Sequence, residues 1–121
     1  MKTIKIEIPA LEEFEKIKIR LEKPRKINYR WKNPPKTYWV ENLDKHRGRQ
    51  GIYLIPKQGK IIYVGSTTDL ERRIRGHWLI KQNKDINFIY FLEEKDRNKR
   101  LFFEQCYKFH FFGKVKPEPF R

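Results

Sequence analysis

Five side chains have the types and spacing for chemistry on a bound substrate: Tyr53 and Tyr63, ten residues apart, Arg73 and His77, four apart, and Glu104. Phenols and imidazoles can carry protons, a guanidinium grips oxyanions, and a carboxylate can hold a hard cation. Each also has a plainer use. Two tyrosines on neighbouring strands can pack as cross-strand or core aromatics. Arg73 is one of three arginines in the run RRIR, which a solvated basic face would also explain. His77 can be a satisfied boundary residue. Glu104 is the only carboxylate between Arg97 and Lys116, flanked by Phe102-Phe103 and Cys106-Tyr107. An acid with such neighbours needs a partner, which could be Lys108, Arg100, another cation or a metal. Cys106 and His110 are four apart and supply half of a zinc site, whose other ligands would have to be His46 or His77. With one Cys and no CxxC, zinc is not expected.

The elements that must position these groups are legible from Gly51 onward. GIYLIP and KIIYVG are short apolar, strand-like runs joined by Lys57-Gln58-Gly59-Lys60, which predicts an antiparallel hairpin. Tyr53 and Tyr63 would then be cross-strand or diagonal neighbours. Thr68 with Glu71 reads as a capping box, so a helix should begin near Asp69. On it Arg73 and His77 share a face beside a stripe of Leu70, Ile74 and Trp78. INFIYFLEE reads as a third strand, and DRNKRLFFEQCYKFHFF as a helix stopped by Gly113. The order predicts an α+β fold, a small three-stranded antiparallel sheet flanked by helices.

Upstream the pattern is less regular. KTIKIEIP alternates at Ile4, Ile6 and Ile8 and reads as a strand that could extend the sheet or pair with a second copy of the chain. In ALEEFEKIKIRLEK, Leu11, Phe14 and Ile17 suit a helix, while Ile17, Ile19 and Leu21 suit a strand; a helix ending in extended chain is expected. Residues 23–50 are basic, aromatic and loop-like, broken by Pro24, Pro34 and Pro35, with Trp31, Tyr38 and Trp39 among the cations. The chain therefore divides into a basic extension, residues 1–50, packed on a core of residues 51–121.

The charge balance points to a partner. The chain has 121 residues, with 29 Lys and Arg against 15 Asp and Glu, a formal net charge of +14. That excess is the electrostatic footprint of a polyanion binder, most often of nucleic acid. Aromatics at 15% mark a chain with a core rather than a basic tail. The single Cys excludes an internal disulfide, and no 18-residue apolar run or signal-like N-terminus occurs. An intracellular protein, cytoplasmic or nucleoid-associated and without a membrane partner, is expected.

GIY, then YVG ten residues on, an Arg eight after that Gly, a His four after the Arg, and a Glu in the last helix together resemble the GIY-YIG nuclease family over about residues 51–120. Gly51, Tyr53, Tyr63, Gly65, Arg73, His77 and Glu104 match position by position. The ending KVKPEPF departs from the family, with Phe120 where an Asn commonly falls. The resemblance implies a divalent-metal-dependent DNA endonuclease. It implies Glu104 as the ligand of one Mg²⁺ or Mn²⁺ ion and Arg73 on the scissile phosphate. Tyr53 would orient or deprotonate the attacking water, Tyr63 would hydrogen-bond the water or phosphate, and His77 would hold the Tyr53 hydroxyl or relay its proton. A basic Tyr53 needs a lowered pKa, for which Lys57, Lys60 and Arg73 are candidate causes. Gly51 and Gly65 would allow close backbone approach. DNA, duplex or branched, would lie along Lys57, Lys60, Arg72 and Arg75, and along Arg25, Lys26, Arg30 and Lys32 of the extension. RNA is the second candidate, through stacking on Trp31, Tyr38 and Trp39. The alternative is a weakly catalytic or inert nucleic-acid-binding protein on the same fold.

Overall fold

The computed structural model describes residues 7–20, 39–40 and 42–113. Four strands, β1 (Glu15–Lys18), β2 (Gly51–Lys57), β3 (Lys60–Thr67) and β4 (Phe88–Glu93), form one antiparallel sheet in the order β1-β4-β2-β3. Helices α1 (Leu70–Gly76) and α2 (Trp78–Gln82) follow β3, and α3 (Arg97–Phe112) follows β4.

The hairpin forms where the two apolar runs and their Gly-containing turn place it. Gln58 and Gly59 both adopt positive φ, 51° and 77°, the backbone that a two-residue turn between twisted strands requires. Its register pairs Tyr53 with Gly65 and Ile55 with Tyr63, so the two tyrosines are diagonal neighbours on one face. Strand alternation then fills two cores. Tyr53, Ile55, Ile89 and Phe91 pack against Leu70, Ile74 and Ile80 of α1 and α2. Ile52, Leu54 and Val64 pack on the opposite face against Tyr107 of α3. The sheet is therefore covered on both faces, and among the described residues β3 is an open edge between α1 and α3.

The fourth strand corrects the expectation of three. Leu11–Glu13 forms a single 3₁₀ turn, and the chain is extended from Phe14, so no helix runs through Ile17. The unpaired edge of β4 decides it: Glu15–Lys18 supplies the ladder partners for Phe88–Phe91, and an uncovered edge would leave backbone groups unpaired. The extended backbone also sends Phe14 into the α3-side core and Ile17 into the other. Arg49 bonds Glu15 at 2.8 Å and lies 3.6 Å from Glu93, tying the new edge to the start of β2. Leu43, in a 3₁₀ turn at Leu43–His46, is also buried in the α1-side core. Of the strand expected over KTIKIEIP, the part with Ile4 and Ile6 lies outside the described residues, and Glu7, Ile8 and Pro9 are in no strand; Trp31, Tyr38 and the KVKPEPF ending also lie outside.

The first helix differs in two details. Its N-cap is Asp69, not Thr68: the Asp69 carboxylate accepts from Arg72 N and Gly48 N, while Glu71 pairs with Arg47 and Arg75. It also stops at Gly76. His77 is extended (φ −75°, ψ 120°), and its Nδ1 accepts from Leu79 N to cap α2. The break rotates Trp78 out of the expected stripe to 51% exposure, and Ile80 takes the core position. Arg20, which the sequence reading passed over, is buried and donates to the Ile80 and Asn83 carbonyls, holding the end of α2.

Candidate active site

The open β3 edge is where the sheet's two faces meet, and the matched residues gather there. Tyr53 is 2% exposed. Its ring lies flat over Gly65: a Cβ at that glycine would stand 2.5 Å from Tyr53 Cζ and Oη, so no side chain fits beneath the ring. Gly51 is crowded by backbone instead, with Leu92 O 2.1 Å from a built Cβ. Tyr63 stacks on Tyr53 with centroids 5.8 Å apart and planes 17° from parallel.

Arg73 reaches from α1 to both phenols. Its Nε donates to Tyr53 Oη at 2.8 Å and its Nη2 to Tyr63 Oη at 3.4 Å. From the other face, Glu104 of α3 meets Ser66, which alternation turns away from Gly65 toward α3. Ser66 Oγ donates to Glu104 Oε1 at 2.9 Å. Glu104 Oε2 lies 3.5 Å from Lys108 Nζ one turn on, so the Lys108 partnership considered from the sequence is present. Both are buried, at 1% and 5% exposure. Tyr53, Tyr63, Gly65, Ser66, Arg73 and Glu104 together line a cleft of about 250 Å³. Ser66 was not anticipated; its position on the strand directly after YVG was the available signal.

His77 lies behind the phenols rather than among them. Its ring meets Tyr63 edge-on at 4.5 Å and Tyr53 at 5.7 Å. With Nδ1 accepting from Leu79 N, the proton of the neutral ring belongs on Nε2, which is buried and has no hydrogen-bond partner. The bond from His77 to the Tyr53 hydroxyl, expected from the sequence, is therefore absent here; that oxygen accepts from Arg73. Burial, with help from the Arg73 charge, pushes His77 down to about 4.

The sign of the resulting pH effect is fixed. The unfolded chain, with His near 6.5, takes up the proton first as pH falls, so this part of the stability is complete above 6.5 and drains toward 4. Native protein should lose about 2.5 kcal/mol more than His77→Gln between pH 7.5 and 4.5 in urea unfolding. Equal losses would show that the imidazole is protonated in the fold.

Tyr53 shifts opposite to expectation. Burial and the neighbouring Tyr63 push its phenol well above the ordinary value, and Arg73 opposes them without prevailing. Lys57 and Lys60 do not reach it. They line a different cleft of about 510 Å³ at the hairpin turn, where Lys57 donates to Asn83. Arg72 and Arg75 are exposed; Arg72 joins Arg73 along a neighbouring groove with Thr67, Thr68 and Asp69, and Arg75 bonds Glu71. Arg25, Lys26, Arg30 and Lys32 lie outside the described residues. Among the described residues no three His, Cys, Asp or Glu side chains cluster to hold a metal, and no helix is long and apolar enough to cross a membrane.

A family model, the GIY-YIG catalytic domain, matches residues 49–114. No curated protein and no solved structure matches the chain.

Proposed function

Because the chain belongs to the GIY-YIG family, a family of nucleases with nucleic-acid substrates, we propose that it is a divalent-metal-dependent endonuclease that hydrolyses DNA phosphodiester bonds. The observation that supports this most is the cleft at the β3 edge, where a guanidinium, two phenol oxygens and a carboxylate from both sides of the sheet open onto one space. Mg²⁺ keeps several waters and takes one or two carboxylates plus substrate phosphate oxygens. One carboxylate, Glu104, with the Ser66 hydroxyl beside it, meets that limited demand. The bound ion would supply charge stabilisation at the phosphate and the leaving 3′ oxygen.

The chain's own groups do the rest. Arg73 holds the phosphate, and its fork neutralises charge building on the equatorial oxygens. Tyr53 stays protonated at neutral pH in the free protein, so its hydroxyl serves to orient the attacking water; any proton uptake by its oxygen waits for bound substrate. Tyr63, half-buried at the mouth, hydrogen-bonds water or phosphate. His77 holds the two rings by edge contact. The buried Glu104–Lys108 pair favours a second reading, a nucleic-acid-binding protein without turnover. Plasmid nicking in Mg²⁺ against EDTA, beside a branched DNA substrate, separates them: Mg²⁺-dependent cleavage supports the nuclease, and tight binding with no cleavage in either Mg²⁺ or Mn²⁺ overturns it.

Gly65→Ala should slow cleavage about a hundredfold, because the added methyl displaces the Tyr53 ring by an ångström or more. An unchanged single-turnover rate would remove Tyr53 from the reaction. The extension is proposed to lie along the nucleic acid. Neutralising Lys23, Arg25, Lys26, Arg30 and Lys32 together should weaken binding and lower the salt slope by roughly three or four. A well-folded variant with unchanged affinity would confine residues 1–50 to covering the core.

A further inference from the structure

Lys108 has no part in the roles above, yet among the described residues it is the cation paired with the proposed metal ligand. It is buried on the same helix face as Glu104, one turn toward the C-terminus, with its ammonium 3.5 Å from Oε2. The other carboxylate oxygen accepts from Ser66. Both oxygens of Glu104 thus have partners within the protein, and the carboxylate is satisfied with no metal bound.

The charge of the cleft follows. Among the described residues the cleft is lined by one carboxylate, Glu104, and one cation, Arg73, and Lys108 adds a second cation against the far side of the carboxylate. A dication approaching Glu104 meets an ammonium across the carboxylate and a guanidinium across the cleft, with little net attraction. A phosphodiester reverses this: its negative charge neutralises Arg73 and adds an oxygen ligand, so each binder makes the site better for the other.

We propose that Lys108 is the resident counter-ion of Glu104 and makes metal capture conditional on bound nucleic acid. The inference rests on the reading of Glu104 as the metal ligand. By linkage, nucleic acid must then tighten metal binding by the factor by which metal tightens nucleic-acid binding. The protein would hold its fold without metal and would not accumulate a charged, cleavage-ready centre away from its substrate.

The test is Mn²⁺ titration followed by the electron paramagnetic resonance signal of the free ion, with and without a short phosphorothioate DNA duplex. The native chain should bind Mn²⁺ weakly alone and about tenfold or more tightly with the duplex. Lys108→Met replaces the ammonium by an apolar chain of similar length. It should bind Mn²⁺ about tenfold more tightly than the native chain without DNA, and its melting temperature should rise with Mn²⁺ while the native value stays unchanged. Equal Mn²⁺ affinity of Lys108→Met and the native chain without DNA overturns the inference. So does a native affinity that the duplex leaves unaltered, a comparison that needs no variant and decides the matter should Lys108→Met fail to fold. Mn²⁺ binding that persists undiminished in Glu104→Gln with the duplex removes the metal reading itself, and the inference with it.

Discussion

Glu104→Gln should abolish cleavage while leaving nucleic-acid binding, measured in EDTA, intact or tighter. The amide oxygen can still accept the Ser66 hydroxyl, so the shape of the cleft is kept. What goes is the negative charge, and with it the only carboxylate that lines the cleft among the described residues. With no metal bound, removing one negative charge near a phosphate cannot weaken phosphate binding electrostatically. The substitution also sets Lys108, a buried ammonium, against a neutral amide in place of a carboxylate. Breaking one side of a buried pair costs roughly 3–5 kcal/mol, so the melting temperature must be measured along with the rate. The double variant Glu104→Gln with Lys108→Met removes that penalty and should melt closer to the native chain while remaining inactive. A stable single or double variant that cleaves in Mg²⁺ at the native rate would show that another group binds the metal or that none is needed.

How much of this was legible without coordinates depends on the range of the signals. The hairpin needs only two short apolar runs and a Gly-containing turn, and it puts Tyr53 and Tyr63 side by side whatever the rest of the chain does. The last helix is announced by its apolar spacing and by Gly113, which adopts the left-handed φ of 73° at its end. Glu104 stood out as a lone acid among aromatics, and both of its oxygens turn out to be occupied. Features fixed by distant partners were harder to see. Ile17 fits a helix or a strand by spacing, and the choice was made by the open edge of β4, more than 70 residues away. The break at His77 depends on the imidazole capping α2 and on Ile80 filling the core that Trp78 was expected to fill. The rise in the Tyr53 pKa could not be inferred from nearby cations, because burial outweighs the one cation that reaches the phenol. Counting Lys57 and Lys60 as neighbours ignored that the hairpin carries its turn away from the cleft.

The same geometry makes Arg73 the position where charge and shape are hardest to separate, and the variants there must be chosen for that reason. Arg73→Ala should cut the cleavage rate by at least about a hundredfold, the cost of removing a principal electrostatic donor from a developing anion. Arg73→Lys should recover little. The native fork spans Tyr53 Oη through Nε and Tyr63 Oη through Nη2, and an ammonium, whose donors all radiate from one atom, lacks the spaced planar fork that serves both phenols and a phosphate. A positive charge without the fork therefore tests whether geometry matters beyond charge. The neighbouring arginines are the controls. Arg72 and Arg75 are exposed on the same helix, and Arg75 is partly engaged by Glu71 at 3.3 Å. Arg72→Ala and Arg75→Ala should weaken binding and flatten its salt dependence while leaving the single-turnover rate at saturating DNA near native. The discriminating measurement is that saturated rate, since it sets aside affinity. Three arginines with the same loss in saturated rate, or Arg73→Lys at native speed, would reduce RRIR to a basic patch and leave the cleft without its phosphate-binding group.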